Sequence, residues 1–324
     1  MAETTAMETL ISGGSMGQFV FRRFISIIPT MFVIITLGFF IIRAAPGGPF
    51  AREKAVPQAI LDNLMVKYHM DEPLIKQYLR FMSGVIRGDL GPSFTNKDFS
   101  VNELIAFSLP NSIVLGLTAL TISVLLGITA GIVSALKQNT ITDYSVMSVA
   151  VTGISVPTFV VGPILMLIFA ITLKWLPTSG WIDGRHGMKT LIMPAITLAL
   201  PQFAYIARLM RASMLETLRS DYVRTARAKG LSMPVIIFKH VLKGACLPVV
   251  SYLGPAMAVV ITGSVVVEKI FAIPGLGMHF VRSATNRDYT MIMGTVIVYS
   301  IILVALNFIV DIIYGFLDPR ISYK

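Results

Sequence analysis

The sequence predicts an all-α integral membrane protein, with six transmembrane helices and a small external lobe between the first and second. Three observations predict it. The 324 residues are 55% hydrophobic and only 14% charged, whereas soluble domains carry roughly 25% charged residues. Mean hydropathy is +0.76. Six separate stretches reach the length of about 20 apolar residues that a spanning helix needs. The net charge of +10, from 27 Lys+Arg and 17 Asp+Glu, then bears on loop placement and anionic lipid rather than on nucleic acid. The single cysteine, Cys246, excludes an internal disulfide and a Cys-based metal centre.

Residues 1–19 are polar, small and aperiodic, and are expected to be disordered. The first span, 24–42 within a segment 20–45, follows Arg22 and Arg23. It exceeds the roughly 7 to 15 residues of a signal-peptide core and reads as a retained helix. The lobe, 46–109, holds seven basic and seven acidic residues, which predicts a neutral external unit rather than a membrane-bound patch. It contains a helical stretch over 57–68, with Ile60, Leu61, Leu64 and Met65 at helical spacing, and a glycine-rich turn over 88–94. The lobe is expected to pack on the outer face of the membrane domain.

The core, 110–317, carries the spans 111–135, 144–173, 190–207, 246–267 and 291–316, with a tail over 318–324. The third span exceeds the hydrocarbon thickness and contains Pro157 and Pro163, which predicts a kinked or tilted helix. Outside the lobe, 13 Lys and Arg fall on the side of both termini and seven on the other, so both termini are expected in the cytosol. Gly127 and Gly131, four apart in the second span, permit close helix contact. A partner subunit and internal packing serve equally as the other side.

The segment 208–245 holds the most informative residues. Ser220 or Asp221 can cap a short helix, Lys229 suits its negative end, and Gly230 suits the left-handed residue that stops it. A second helix starts from Ser232, with Pro234 in its first turn. Ala226 and Ala228 are small enough for close approach of a partner, and Arg224 and Arg227 present cations on one face. A solvated positive-inside loop is the bland alternative.

The run Arg224, Thr225, Ala226, Arg227, Ala228, Lys229, Gly230, Leu231, with Leu247 and Pro248 beyond it, resembles the coupling loop of ABC importer permeases. More narrowly the chain is similar to the oligopeptide branch, in its B-subunit form, from about residue 20 onward. Supporting fragments are Arg22–Arg23, 45–47, 67–69, 88–93, 135–140, 270–277, 286–289 and 318–323, in family order. Two features depart from the general importer pattern: Arg224 stands where Glu heads the motif, and Gly230 lies further from Leu247. Both are similar to the peptide branch.

The resemblance implies a type I ABC importer permease in a bacterial inner membrane, coupled to ATPases through Asp221, residues 224–231 and Ser232. It implies a second homologous permease, two cytosolic ATPases that hold the ATP and Mg, and an external peptide-binding protein. No P-loop is present in this chain, so no cofactor is expected in it, and it is expected to be non-catalytic. The four histidines, His69, His186, His240 and His279, lack metal-ligand spacing.

Candidate path residues are Thr152, Ser155, Pro157, Thr158 and Phe159 near the proline break, and Ser251, Tyr252, Thr262, Ser264 and Glu268 in and after span five. Ordinary interhelical packing accounts equally well for any one of them. Glu268 and Asp311 are the ionisable groups in or near spans, read as an interfacial pair with Lys269 and as a structural group near the tail, respectively. Competing readings are a permease of the same family for dipeptides, glutathione or nickel, an ion-coupled secondary transporter, and an intramembrane enzyme.

Overall fold

The computed structural model describes residues 16–45, 48, 58–96, 98–182, 187–262 and 264–317. The expected disorder of residues 1–15, the tail 318–324, His186 and the side chain of Thr262 lie outside the described residues. Met16 already opens the first helix, α1 (Met16–Ala44), so residues 16–19 are helical and not aperiodic.

The lobe contributes α2 (Gln58–Lys67) and α3 (Leu74–Ile86). Leu64 and Met65 pack with Tyr68 against Phe94 and Tyr289. Gly88 and Gly91 take φ of +76° and +84° in the turn that follows, a region that glycine enters without a Cβ penalty. Asp288 fixes this turn to the bundle, accepting from the Ser93 hydroxyl at 2.5 Å and from the Thr95 amide at 3.0 Å.

The second span is α4 (Val101–Leu136), 36 residues long. It starts ten residues before the predicted span because Ser100 and Glu103 form a reciprocal capping box, satisfying two otherwise orphaned amides. Residues 101–109 therefore belong to this helix and not to the lobe. α7 (Lys189–Leu218) also outruns its prediction, because polar residues on one face do not interrupt a helix whose other face stays buried.

The third span departs most from expectation. It is two helices, α5 (Ile141–Ser155) and α6 (Thr158–Thr172), bent by 107°. Val156 and Pro157 are both extended, with ψ of 118° and 143°, because proline pushes its predecessor out of the helical region. The fifth span is likewise composite. α9 (Met233–Ala245) meets the helix beginning at Leu247 at 48°; that helix, α10 (Leu247–Thr262), is followed by α11 (Val265–Phe271). Ala272, with φ of +54°, ends α11. A turn through Gly275 leads to α12 (Leu276–Asn286), and α13 (Tyr289–Leu317) completes the chain. Among the described residues, four helices are long and apolar enough to cross a membrane, and six spans result if each bent pair is one.

α4 and α7 form the centre. A Cβ built on Gly127 would meet Ile206 Cγ2 at 2.8 Å, and one on Gly131 would meet Met210 Cβ at 2.6 Å. The glycine pair therefore serves internal packing, with α7 as its other side. At one periphery, Arg23 of α1 pairs with Asp311 of α13 at 2.6 Å, a structural role for Asp311 as expected.

Candidate functional site

Between α7 and α9 stands α8 (Asp221–Ala228). Its start differs from expectation in chemistry: Ser220 occupies the cap position, but its hydroxyl donates back to the Thr217 carbonyl at 2.7 Å. Its end follows expectation. Gly230 has φ of +77°, its amide donates to Arg227 O at 2.9 Å, and the Leu231 amide reaches Ala226 O at 3.4 Å. This paired closure is a Schellman motif. Ser232 then occupies the cap position of α9 without a side-chain capping bond, and Pro234 lies in its first turn.

Two residues of α8 face inward. Val223 and Ala226 are buried in a cluster with Met210, Met214, Ile236, Val241 and Ala245. Ala226 therefore packs within this chain and offers no contact to a partner, contrary to expectation; its three-residue offset from Val223 puts both on one helical face. The outward face carries Asp221, Arg224, Thr225, Arg227, Ala228 and Lys229, continuing into Gly230, Leu231 and Ser232, all exposed. Arg224 and Asp221 are 3.6 Å apart there.

Beneath this knob lies a buried ion pair that sequence reasoning missed. Asp143 of α5 is 1% exposed and accepts from Arg211 Nε at 2.7 Å and Nη2 at 2.6 Å. The Ser134 hydroxyl and the Asn139 amide also donate to it. One carboxylate thus joins α4, α5 and α7. Two opposite charges at the edges of successive spans on one side were the available signal.

The path candidates separate into two groups. Thr152, Ser155, Pro157 and Phe159 are exposed around the 107° bend and Thr158 is half-buried, while Ser251 and Tyr252 are half-buried on α10. Tyr252 stacks on Tyr205 of α7 with centroids 4.1 Å apart, and its hydroxyl donates to Gln202 Oε1 at 2.5 Å. Tyr205 and Gln202 were not singled out from sequence, although the polar pair following Pro201 inside a span marks them.

Ser264 and Glu268 are fully buried and line no opening in this conformation. Glu268 turns inward and not toward Lys269. Its Oε1 accepts from Ser112 at 2.7 Å and Ser264 at 2.5 Å, and Oε2 from the Met278 amide at 3.3 Å. Ser112 Oγ in turn accepts from the Leu276 amide at 2.9 Å. A Cβ on Gly275 would lie 2.3 Å from Glu268 Cδ, so glycine is what admits the carboxylate here. Gly275 thus closes the turn before α12, and Gly277 lies in that helix's first turn.

Residues 127–323 match the family model described as the inner membrane component of binding-protein-dependent transport systems, and residues 16–116 match the N-terminal part of such membrane components. The chain belongs to this permease family. The permease is 48% identical over 306 residues to the oligopeptide transport system permease protein OppB of Salmonella typhimurium, covering 94% of this chain and 99% of that one. It is 44% identical over 307 residues to the dipeptide transport system permease protein DppB of Bacillus subtilis, covering 95% and 98%. Among solved structures, inward-facing MetNI methionine ABC transporter aligns with a TM-score of 0.55 at 17% identity, over 66% of this chain and 96% of that chain. That likeness shows the fold, a type I ABC importer permease. In this permease both family matches have an end inside α4, so the longest helix joins the N-terminal part to the core.

Proposed function

We propose that this chain is the membrane-spanning subunit of an ATP-driven oligopeptide importer, lining half of the path beside a second homologous permease. Residues 220–234 take the stroke of two cytosolic ATPases, which bind the ATP and Mg, and an external binding protein delivers the peptide. Both termini then lie in the cytosol, on the side of α8. The chain itself makes and breaks no covalent bond.

One observation carries this reading: α8 is anchored by Val223 and Ala226 while its opposite face is cationic and exposed. A force applied to that face passes into α7 and α9 instead of bending a loop. The proline break and the Tyr205–Tyr252 stack supply polar and aromatic surface suited to peptides of varied side chains. The identity to OppB supports oligopeptides; the identity to DppB keeps dipeptides as the alternative substrate.

The test is Ala228→Asp, on the exposed face, in proteoliposomes holding the assembled transporter. Membrane insertion and thermal stability should match the parent within about 0.5 kcal/mol, as for surface substitutions. Peptide uptake should fall while ATP hydrolysis continues. Uptake at the parent rate would overturn the coupling role. Gly230→Asp is a second probe: nothing lies within 4 Å of its built Cβ, although the φ of +77° adds strain.

A further inference from the structure

The composition of residues 46–109 predicts a neutral unit apart from the bilayer, yet α3 lies along the last turns of α1. Thr36 Oγ1 and Tyr78 Oη are 2.9 Å apart. The rings of Tyr78 and Phe81 lie 5.3 and 5.7 Å from Phe39, and Tyr78 stacks on Phe40 at 5.5 Å. Thr36 precedes Arg43 by seven positions, or about 10 Å along α1 at 1.5 Å per residue. The contact is therefore made within the apolar length of α1 and not above it.

The faces of α3 divide by chemistry. Tyr78, Phe81, Met82 and Val85 pack on α1 and α13. Ile75, Leu79 and Ile86, which share a second face at helical spacing, are 62%, 60% and 79% exposed. Leu37, Phe40 and Ile41 form the neighbouring exposed face of α1, so the apolar surface of α3 continues that of a spanning helix. On the remaining side, Glu72 holds Lys76 at 3.3 Å and Arg80 at 2.8 Å.

We propose that α3 is an interfacial membrane helix, with Ile75, Leu79 and Ile86 seated in lipid and the Glu72, Lys76 and Arg80 network facing water. The occupant of the exposed stripe is the acyl-chain boundary of the leaflet in which α1 ends. Helices of this kind bury their apolar face about 5–10 Å into that boundary, which agrees with the depth of Thr36. The lobe then acts as a float that fixes the height of α1.

The test places single cysteines at 75, 79, 86, 76 and 80 in a Cys246→Ser background, in the assembled transporter in lipid nanodiscs. Each carries a nitroxide label. Collision with oxygen should exceed collision with a water-soluble nickel chelate at 75, 79 and 86, and the ratio should reverse at 76 and 80. Chelate-dominated collision at all five positions would overturn the proposal, as would low collision with both reagents at 75, 79 and 86, the mark of a covering protein. Should the labelled forms fail to assemble, Leu79→Trp provides the second measurement. Lipid brominated on its chains should quench emission beyond the parent's loss, and an equal loss would overturn the proposal.

Discussion

Each end of the bundle buries a carboxylate, and the two are held by different chemistry. Near α8, Asp143 meets a guanidinium, in two hydrogen bonds from Arg211. At the opposite end, Glu268 meets only hydroxyls and an amide, from Ser112, Ser264 and Met278. A paired ion resists separation because each partner is left uncompensated, whereas neutral donors hold a carboxylate with less to lose. Separating α4, α5 and α7 around Asp143 should therefore cost more than parting the helices around Glu268. The Glu268 end is a set of short helices, α11 and α12, that surround Glu268 and lead to a second buried acid, Asp288.

Four experiments break or sharpen this contrast. The largest expected loss is from Asp143→Asn, which strands Arg211. Breaking a buried pair costs about 3–5 kcal/mol, and the lower end applies because Arg211 keeps 26% exposure. Denaturant or thermal unfolding in detergent reads it, and Asp143→Asn with Arg211→Met should recover most of the loss. A double variant as unstable as the single one would contradict the ion-pair account. Next comes Gly275→Ala, which drives a methyl into the Glu268 carboxylate and should cost about 2 kcal/mol, as overpacking does.

Glu268→Gln keeps the shape and one acceptor but turns an amide N–H toward donors, and should cost about 1.5 kcal/mol, the low end for a hydrogen bond to a charged group. A loss equal to that of Asp143→Asn would erase the difference between the ends. The smallest effect is on pH dependence. Burial first, and the charge of Arg282 second, hold the His279 pKa below its usual 6.5. The unfolded chain then binds the proton more readily, so stability should fall as pH drops below about 6.5 toward the folded-state pKa. Replacing His279 by Gln should flatten that fall, and an unchanged slope would remove His279 as its source.

Much of this was legible in the sequence, for reasons that name its limits. Apolar length announced the spans, and Gly230 and Ser232 marked the ends of the short helices because left-handed and capping positions restrict residue type. The 107° bend was legible only as a break: Pro157 says that a helix stops, not in which direction the next one leaves. Asp143 and Arg211 are 68 positions apart, and only the packing of α5 on α7 brings them together. The inward turn of Ala226 depends on which face of α8 meets α9, and an alanine suits either. For α3, equal numbers of acids and bases hid the apolar stripe, since charge totals carry no information about sides.

The length of α4 has a mechanical consequence. At 36 residues it measures about 54 Å at 1.5 Å per residue, well beyond a hydrocarbon slab of about 30 Å. Ser134 near one end touches Asp143, and Ser112 nearer the other touches Glu268. The helix thus joins the Asp143 and Glu268 clusters through one continuous rod that packs on α7 along its length, from Leu115 and Ala119 to Gly131 against Met210.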